Sequence, residues 1–182
     1  MVARGVGSGD SYGGYRSRLV EQLQARGIKD LAVLRAIAQV PRHLFVPEAV
    51  RHRAYEDCAL PIGGGQTISQ PWVQARSLEL LRLTGSERVL EVGAGSGYQT
   101  GLLACLAGAV FAVERVASLA YQAREALARS GIANVSVMVG DGTLGWSSLA
   151  PFDAIVVAAA SPRIPDPLLR QLGPAGKIVI PI

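Results

Sequence analysis

Hydrophobic residues in the second half of the chain follow two alternating patterns. Short runs of β-branched and aliphatic residues predict buried strands, and the segments between them carry apolar residues every three or four positions, which predicts helices. The strand pattern occurs at residues 88–92, 110–113, 135–139, 153–158 and 177–182. Strands separated by helices form parallel sheets with right-handed crossovers. The sequence therefore predicts an α/β fold with a doubly wound, mostly parallel sheet of about five strands.

The residues before this sheet have a helical pattern. Apolar positions at helical spacing predict a helix over 15–26, and Asp30 is a suitable N-cap for a second helix that ends before Pro41. Residues 1–14 are rich in Gly and Ser and lack periodicity, which predicts a disordered tail. The predicted organisation is one domain over 15–182, with an appendage of N-terminal helices at 15–53, a loop at 54–71 and an α/β core at 72–182.

The segment 54–71 is rich in Gly and Pro, which predicts a loop. A loop of this length is usually functional or disordered, and disorder is disfavoured because Leu60 and Ile68 are available to be buried. Ser69 has two interpretations from the residues alone. Either it caps the helix that begins near Pro71, or it belongs to a functional site. The local sequence favours the cap.

The first predicted strand of the sheet ends in a glycine-rich turn. Gly93, Gly95 and Gly97 alternate along the chain, and a helical pattern starts at Tyr98. Such glycines let a ligand approach the backbone closely, and the amide N–H groups at a helix start suit polar ligand atoms. A dinucleotide fingerprint has its third glycine where this chain has Tyr98, which disfavours a nucleotide-linked oxidoreductase. The alternatives are an ordinary tight turn and a site for a nucleoside-bearing cofactor.

Acidic residues accompany three of the predicted strand ends: Glu91, Glu114 and Asp141. Ligands of open α/β sheets bind at this edge, which favours the nucleoside cofactor. We expect Glu114 to accept both ribose hydroxyls, Asp141 to accept the adenine amine, and Glu91 to bind an ammonium group directly or through water. The turn amides would face the amino-acid end of the cofactor, and Ile155 or Leu144 would lie against the ring. Structural alternatives are a plain turn at Asp141 and a surface ion pair of Glu114 with the adjacent arginine.

The predicted cofactor contacts are Glu91, Gly93, Gly95, Ser96, Gly97, Glu114, Asp141 and Gly142.

Composition narrows the classes of function. The 182 residues are 49% hydrophobic and 18% charged with a net charge of +4, which suits one globular domain. The basic residues are scattered, so we expect no nucleic-acid partner. The longest uncharged run, 92–113, contains five glycines, and the N-terminus lacks an apolar signal segment, so we expect no membrane segment. Cys58 and Cys105 lack metal-ligand spacing and predict free thiols, no metal site and a cytoplasmic location.

Seven motifs between Val40 and the end of the chain form a specific set. They are V-P-R-x-x-F-V-P (40–47), A-Y-E-D (54–57), L-P-I-G (60–63), G-Q-T-I-S-Q-P (65–71), L-E-V-G-A-G-S-G-Y (90–98), G-D-G (140–142) and P-F-D-A-I-V-V (151–157). The fourth motif is the distinctive one, since the glycine turn alone marks only a superfamily. Together they resemble the bacterial protein-L-isoaspartate O-methyltransferases, which are class I S-adenosylmethionine-dependent methyltransferases.

The resemblance implies a Rossmann-like fold and an activity. The activity is transfer of the S-adenosylmethionine methyl group to the carboxylate of L-isoaspartyl residues in damaged proteins and peptides, which leaves S-adenosylhomocysteine. The ester then closes to a succinimide, which can reopen to aspartate. In that family the serine matching Ser69 is the active-site residue. The preceding loop can then act as a lid, with substrate or lid roles for Tyr55, Gln66, Thr67 and Ile68.

The chain departs from the family pattern at Gly64, Ala158 and Ser161. Relatives also continue beyond the position of Ile182 through further strands of the sheet. We therefore expect the C-terminal strands of the family to be absent, and the fifth predicted strand to offer an exposed edge through which the protein self-associates. The alternative function is that of an S-adenosylmethionine-binding relative with little or no turnover.

Overall fold

Seven strands and six α-helices make up the part of the chain that the computed structural model describes, residues 11–182. The helices are α1 (Gly13–Ala25), α2 (Leu31–Gln39), α3 (Pro71–Leu81), α4 (Tyr98–Ala104), α5 (Ala117–Arg129) and α6 (Asp166–Arg170). The strands are β1 (Leu60–Gly63), β2 (Gln66–Ile68), β3 (Arg88–Val92), β4 (Ala109–Glu114), β5 (Val135–Val139), β6 (Phe152–Val157) and β7 (Leu172–Val179). None of the helices in this described range is long and apolar enough to cross a membrane.

Strands β3 to β7 form one parallel sheet in the order β5-β4-β3-β6-β7. Leu90 of β3 pairs with Phe111 of β4 on one side and with Ile155 of β6 on the other. The chain runs outward from β3 to β5 and then returns to the other side of β3, so β3 is the point where the strand order reverses. Ligand sites of such sheets lie at the carboxyl ends of the strands next to this point. The predicted α/β fold with a doubly wound parallel sheet is confirmed.

Alternate residues of the sheet enter two separate cores. Val89 and Val110 belong to the larger cluster, which also holds apolar side chains of α1 to α5. Leu90 and Ile155 point to the opposite face, where they pack with Leu168 of α6. Because successive side chains of a strand point to opposite faces, a strand covered on both faces is apolar at most of its positions.

The N-terminal helices are part of the main core, although the sequence predicted an appendage. Leu19 and Leu23 of α1 are fully buried in the cluster that contains the sheet residues. Helix α2 begins where predicted, because the Asp30 carboxylate accepts hydrogen bonds from two backbone N–H groups of its first turn. Helix α1 begins at Gly13, two residues earlier than predicted. Residues 1–10 of the predicted tail lie outside the described residues.

A hairpin at residues 60–68 replaces half of the predicted loop 54–71. Strands β1 and β2 pair in antiparallel fashion, and the turn between them uses Gly63, Gly64 and Gly65 with φ of +90°, +58° and +69°. Glycine adopts this left-handed region without steric cost. The same glycines that predicted a loop from composition therefore form a tight turn. Strands of four and three residues are too short for periodicity to reveal them.

Strand β7 is displaced from its predicted position. It begins at Leu172 and ends at Val179, so that residues 180–182 lie beyond it. Pairing with β6 starts between Phe152 and Leu172 and shifts register before Lys177. The first residues of β7, 172–176, join the sheet only through this irregular pairing. They include Gly and Pro and show no apolar alternation, so their pattern does not predict a strand.

Candidate active site

A cleft opens at the carboxyl end of β3, between the strand ends and the β1–β2 hairpin. Its lining residues are Gln66, Thr67, Ile68, Ser69, Gln74, Glu91, Gly93, Ala94, Gly95, Ser96, Gln99, Glu114, Ala158 and Ala159. The empty space, counted into the adjoining solvent, is about 510 Å³. The cleft brings together most of the predicted site residues from separate parts of the chain. Tyr55, Gly97, Asp141 and Gly142 are outside its lining.

The glycines of the turn after β3 have different tasks. Gly93, Gly95 and Gly97 have φ of +88°, +54° and +84°, which L side chains rarely adopt. A Cβ atom at Gly97 would lie 3.0 Å from the Cβ atom of Ala123, so Gly97 allows α4 to pack closely against α5. Gly93 and Gly95 line the cleft, where the missing side chains leave room for a ligand.

The glycine amides of this turn already have acceptors within the protein. The N–H group of Gly93 donates to the carbonyl of Val113 at 2.8 Å, and that of Gly97 donates to a carbonyl inside the turn at 2.8 Å. The N–H group of Gly95 donates to Oε2 of Glu114 at 2.8 Å. The expectation that the amides of residues 93–97 face the amino-acid end of a cofactor is therefore not supported at these three glycines. The turn supplies space, and nearby side chains supply the polar groups.

Glu114 links the end of β4 to the glycine turn. Its Oε2 accepts the Gly95 N–H and its Oε1 accepts the Val116 N–H, both at 2.8 Å. The carboxylate is buried, which rules out the alternative of a surface ion pair with Arg115. An ionised carboxylate has about four lone-pair positions, so about two remain for a ligand in the cleft.

Glu91 is a fully buried carboxyl group at the end of β3. Its Oε2 accepts a hydrogen bond from the Thr100 hydroxyl at 2.5 Å, whereas its Oε1 has no partner among the described residues. Burial raises the pKa of Glu91 to about 8, against the opposing effects of Thr100 and the nearby Gln99 amide. The Nε2 atom of Gln99 is also buried and without a partner in the described part of the chain. Neither atom makes a hydrogen bond of normal geometry among the described residues, although the Gln99 amide is near enough to Glu91 to lower its pKa. Buried polar groups normally have partners, so both atoms are candidates for ligand contacts.

Ser69 lies where the hairpin joins α3, and it lines the cleft. The N-cap residue of α3 is Gln70, whose side chain makes no capping bond. The capping oxygen comes instead from Asp57, whose Oδ1 accepts the N–H of Trp72 at 2.8 Å. The interpretation of Ser69 as the cap is therefore wrong, because a residue distant in sequence performs that function.

Asp141 follows the end of β5 and is exposed at the same edge of the sheet. Its Oδ1 accepts the backbone N–H of Thr143 at 2.9 Å and its hydroxyl at 2.8 Å, and these bonds lower the pKa of Asp141. This is the local turn that the structural alternative predicted. A Cβ atom at Gly142 would lie 2.4 Å from a side-chain atom of β3, so a larger residue would clash there. Leu144 is 61% exposed, whereas Ile155 is fully buried and cannot contact a ring in the cleft.

Tyr55 does not reach the cleft, contrary to prediction. Its ring is buried in the main core, and a hydrogen bond of 2.8 Å joins its hydroxyl to Nδ1 of His43. The residues predicted with it behave differently, because Gln66, Thr67 and Ile68 of β2 all line the cleft. The hairpin is therefore the part of the predicted lid that borders the site.

Several residues at or behind the cleft were not predicted from the sequence: Arg42, Asp57, Gln74, Gln99 and Thr100. Arg42 donates from Nη1 to Oε1 of Gln74 at 2.8 Å and from Nη2 to the carbonyl of Ser69 at 2.9 Å. The signal for Arg42 and Asp57 was their presence in the first two motifs, 40–47 and 54–57. Gln74, Gln99 and Thr100 are polar positions on the inner faces of helices, which is itself an unusual pattern.

Both cysteines, Cys58 and Cys105, are free thiols, as predicted. Within residues 11–182, no three His, Cys, Asp or Glu side chains are grouped so that they could hold a metal ion.

The fold and the cleft together define a class of protein. A doubly wound parallel sheet, a glycine turn after the strand where the order reverses, and carboxyl groups at that strand end and the next one are the features of class I S-adenosylmethionine-dependent methyltransferases. Within that class, the chain belongs to the protein-L-isoaspartate(D-aspartate) O-methyltransferase (PCMT) family, whose model matches residues 15–182.

Relatives and solved structures agree with this assignment. Protein-L-isoaspartate O-methyltransferase of Geobacter metallireducens is 52% identical over 168 residues, which cover 92% of this chain and 78% of the relative. A solved structure named protein-L-isoaspartate O-methyltransferase matches with a TM-score of 0.84 and 30% identity, over 92% of this chain and 55% of that chain. A Plasmodium falciparum protein described as a beta-aspartate methyltransferase (PCMT), solved with S-adenosyl-L-homocysteine, matches with a TM-score of 0.81 and 31% identity, over 92% of this chain and 84% of that chain.

This chain therefore spans most of the curated relative but only about half of the first solved chain. The family, the enzyme class and the Rossmann-like fold predicted from the sequence are confirmed.

Proposed function

We propose that this chain transfers a methyl group from S-adenosylmethionine to the carboxylate of an L-isoaspartyl residue in a protein or peptide, with S-adenosylhomocysteine as the product. The observation that carries the proposal is the convergence of Ser69, Glu91 and Glu114 on one cleft. These residues come from the hairpin junction and from two neighbouring strand ends. The family and the named relatives support the same reaction.

The residues of the cleft fit the cofactor. Glu114 retains acceptor positions for ribose hydroxyls and would repel a 2′-phosphate. Oε1 of Glu91 and Nε2 of Gln99 lack hydrogen bonds of normal geometry among residues 11–182, and as an acceptor and a donor they match the ammonium and carboxylate of a methionyl group. Gly93 and Gly95 leave space for it. When bound, the cofactor supplies a methyl group activated by a positively charged sulfur.

The adenine would lie at the outer part of the same edge. Asp141 keeps acceptor positions toward solvent, and Leu144 offers an exposed apolar surface for the ring. The free thiols of Cys58 and Cys105 support a reducing compartment, so we include a cytoplasmic location in the proposal.

The acceptor requires positioning and no general base. A carboxylic acid with a pKa of roughly 4 is already ionised at neutral pH. The Ser69 hydroxyl is not used as a helix cap, so it can donate to one carboxylate oxygen while the other approaches the methyl group. Gln66 and Thr67 border the site and can limit the access of water. No catalytic role is required of His43, which is hydrogen-bonded to the Tyr55 hydroxyl.

The test compares methylation of an isoaspartyl peptide with that of its aspartyl twin. The isoaspartyl peptide should be methylated and the twin should not. Ser69→Ala should lower kcat about 10- to 100-fold, as expected for losing a hydrogen bond of roughly 1.5–3 kcal/mol to a charged group. Its affinity for S-adenosylhomocysteine and its melting temperature should stay near those of the native chain. Ser136→Ala, on the exposed side of β5, is the matched control.

Equal methylation of both peptides would contradict the proposed substrate. Cofactor binding without methylation of either peptide would favour the alternative, a binding protein with little or no turnover. A Ser69→Ala variant with native kcat would remove Ser69 from the mechanism while leaving the reaction in place.

A further inference from the structure

Arg42 is a buried cation whose direct partners are uncharged. It is the arginine of the V-P-R motif, and its side chain has no exposed surface. Burial lowers the pKa of Arg42 from its ordinary value. Removing a guanidinium from water costs several kcal/mol, and among the described residues no carboxylate forms an ion pair with Arg42 to offset it. A residue held at this cost calls for an explanation beyond filling the core.

The contacts of Arg42 are concentrated on the walls of the cleft. Nη2 donates to the carbonyl of Ser69 at 2.9 Å, and Nη1 donates to Oε1 of Gln74 at 2.8 Å. The guanidinium carbon lies 4.7 Å from the ring centroid of Tyr98. Ser69 and Gln74 line the cleft on the hairpin and α3 side, and Tyr98 is the first residue of α4, directly after the glycine turn. Arg42 therefore connects the two sides of the cleft from behind.

We propose that Arg42 is a positioning residue that holds the backbone of Ser69 at a set distance from the glycine turn and so aims the Ser69 hydroxyl at the acceptor. This inference rests on the proposed function. Methyl transfer requires alignment of the reacting atoms, and a misplacement of about 1 Å can cost about 100-fold in rate. The rigid planar fork of arginine can hold two acceptors in fixed directions, whereas the ammonium of lysine acts as a point charge.

The backbone conformation at Ser69 depends on contacts from outside its own segment. The N-cap residue Gln70 makes no capping bond, so the direction of the chain into α3 is set by groups outside the segment. On the helix side of Gln70, Asp57 holds the backbone N–H of Trp72. On the other side of Gln70, Arg42 holds the backbone carbonyl of Ser69. Without Arg42, the peptide unit between these two points would be able to rotate and take the hydroxyl with it.

The test uses Arg42→Lys, which keeps the charge and most of the stem but cannot hold both acceptors. We expect kcat for the isoaspartyl peptide to fall about 10-fold or more, since part of the alignment is lost. The dissociation constant of S-adenosylhomocysteine should change by less than about threefold, because the main cofactor groups are left in place. In Arg42→Ala, methylguanidinium added to the assay should restore part of kcat, and methylammonium should not.

A merely structural role is distinguished by a matched control. Leu23→Ala removes a fully buried side chain of α1 that does not line the cleft, and it should lower the melting temperature without lowering kcat in assays well below that temperature. A native kcat in Arg42→Lys would overturn the proposal. So would a loss of kcat that tracks melting temperature equally in the Arg42 and Leu23 variants. If Arg42→Ala does not fold, Arg42→Lys and its comparison with Leu23→Ala still decide the result. Failure of the native chain to methylate any isoaspartyl peptide would instead count against the proposed function.

Discussion

At the scale of the residue, Glu91 has the most unusual environment in the cleft. One of its oxygens is bonded to Thr100 and the other has no partner in the described residues. Burial raises its pKa to about 8, so the unliganded protein holds it mostly protonated at neutral pH. A bound ammonium would favour the ionised form, because an opposite charge at short range lowers the pKa of a carboxyl group. Cofactor binding should therefore release a proton from Glu91.

This predicts a pH dependence of cofactor affinity. Because binding requires ionised Glu91, affinity for S-adenosylhomocysteine should rise between pH 6 and 8 by up to about tenfold per pH unit and then level off. Titration calorimetry at several pH values measures this affinity. The Glu91→Gln variant should bind S-adenosylhomocysteine weakly, with an affinity that does not change with pH over the same range. The exposed residue Glu125 supplies the control, Glu125→Gln. A native affinity that does not change with pH would contradict the assignment.

Glu91 also predicts a pH dependence of folding stability, with the opposite sign: stability should fall over the pH range in which cofactor affinity rises. The folded-state pKa of about 8 lies above the ordinary value of 4.5, so between these pH values the folded state holds a proton that the unfolded state has lost. The contribution of Glu91 to stability is therefore complete below about pH 4.5 and is lost as pH rises toward 8. Glu91→Gln should gain melting temperature relative to the native chain between pH 5 and 8. A constant difference across this range would show that Glu91 titrates normally.

At the scale of the element, the start of α3 is organised by a residue from the hairpin side of the chain. Asp57 caps the helix at Trp72, its other oxygen pairs with Arg26, and its carbonyl accepts the side-chain amide of Gln70 at 3.1 Å. The ring of Trp72 lies under the Arg26 guanidinium, 5.0 Å from ring centroid to guanidinium carbon. The second motif of the sequence is thus explained by helix capping next to Ser69.

Removal of this cap should be costly. Asp57→Ala is expected to lower the free energy of unfolding by about 1–2 kcal/mol, the usual size for losing an N-cap. Arg26→Ala leaves the cap in place, removes the half-exposed ion pair and the contact of the guanidinium with the Trp72 ring, and should cost less than about 1 kcal/mol. Urea unfolding of the two variants separates the cap from the pair. Equal losses in both would mean that the ion pair, and not the cap, carries the stability.

At the scale of the whole molecule, β7 is an edge strand of the sheet that residues 11–182 form. The charge of Lys177 does little to protect this edge, because its Nζ atom bonds to the carbonyl of Leu81 at the end of α3, 2.9 Å away. Ile178 and Ile180 are only partly covered, and Ile182 is 81% exposed. Exposed apolar edges of sheets favour association with another chain. Self-association through this strand stays a prediction.

Light scattering after size-exclusion chromatography tests whether the protein self-associates. The mean mass should rise with protein concentration, and Ile182→Lys should shift the distribution toward the monomer by adding a charge beside the edge. Leu31→Lys, which changes another exposed apolar residue, at the start of α2, should have no such effect. A monomer of constant mass at all concentrations would contradict the prediction.

The agreement between sequence and structure follows the length of the apolar runs. Strands β3 and β5 coincide with their predicted bounds, because each is a mainly apolar, valine-rich run between turn signals. The hairpin was missed because its strands are short and the first of them contains Pro and Gly. The start of β7 was missed because its first residues pair through an irregular register. Periodicity is therefore informative only where one element has enough residues to repeat it.

The sequence by itself determined the alternation of strands and helices, the glycine turn, the acids at the strand ends and the motifs of the family. These features are local, since each depends on residues within one element or turn. Tertiary structure alone decided that Ser69 is not the cap, that Tyr55 is buried away from the cleft, that the glycine amides are occupied and that Arg42 supports the site. Most of those outcomes depend on a partner far along the chain, such as Ser69 for Arg42, 27 positions away. Hydrogen-bond partners at that separation are chosen by the packing of the whole fold, and no short pattern of residue types encodes them.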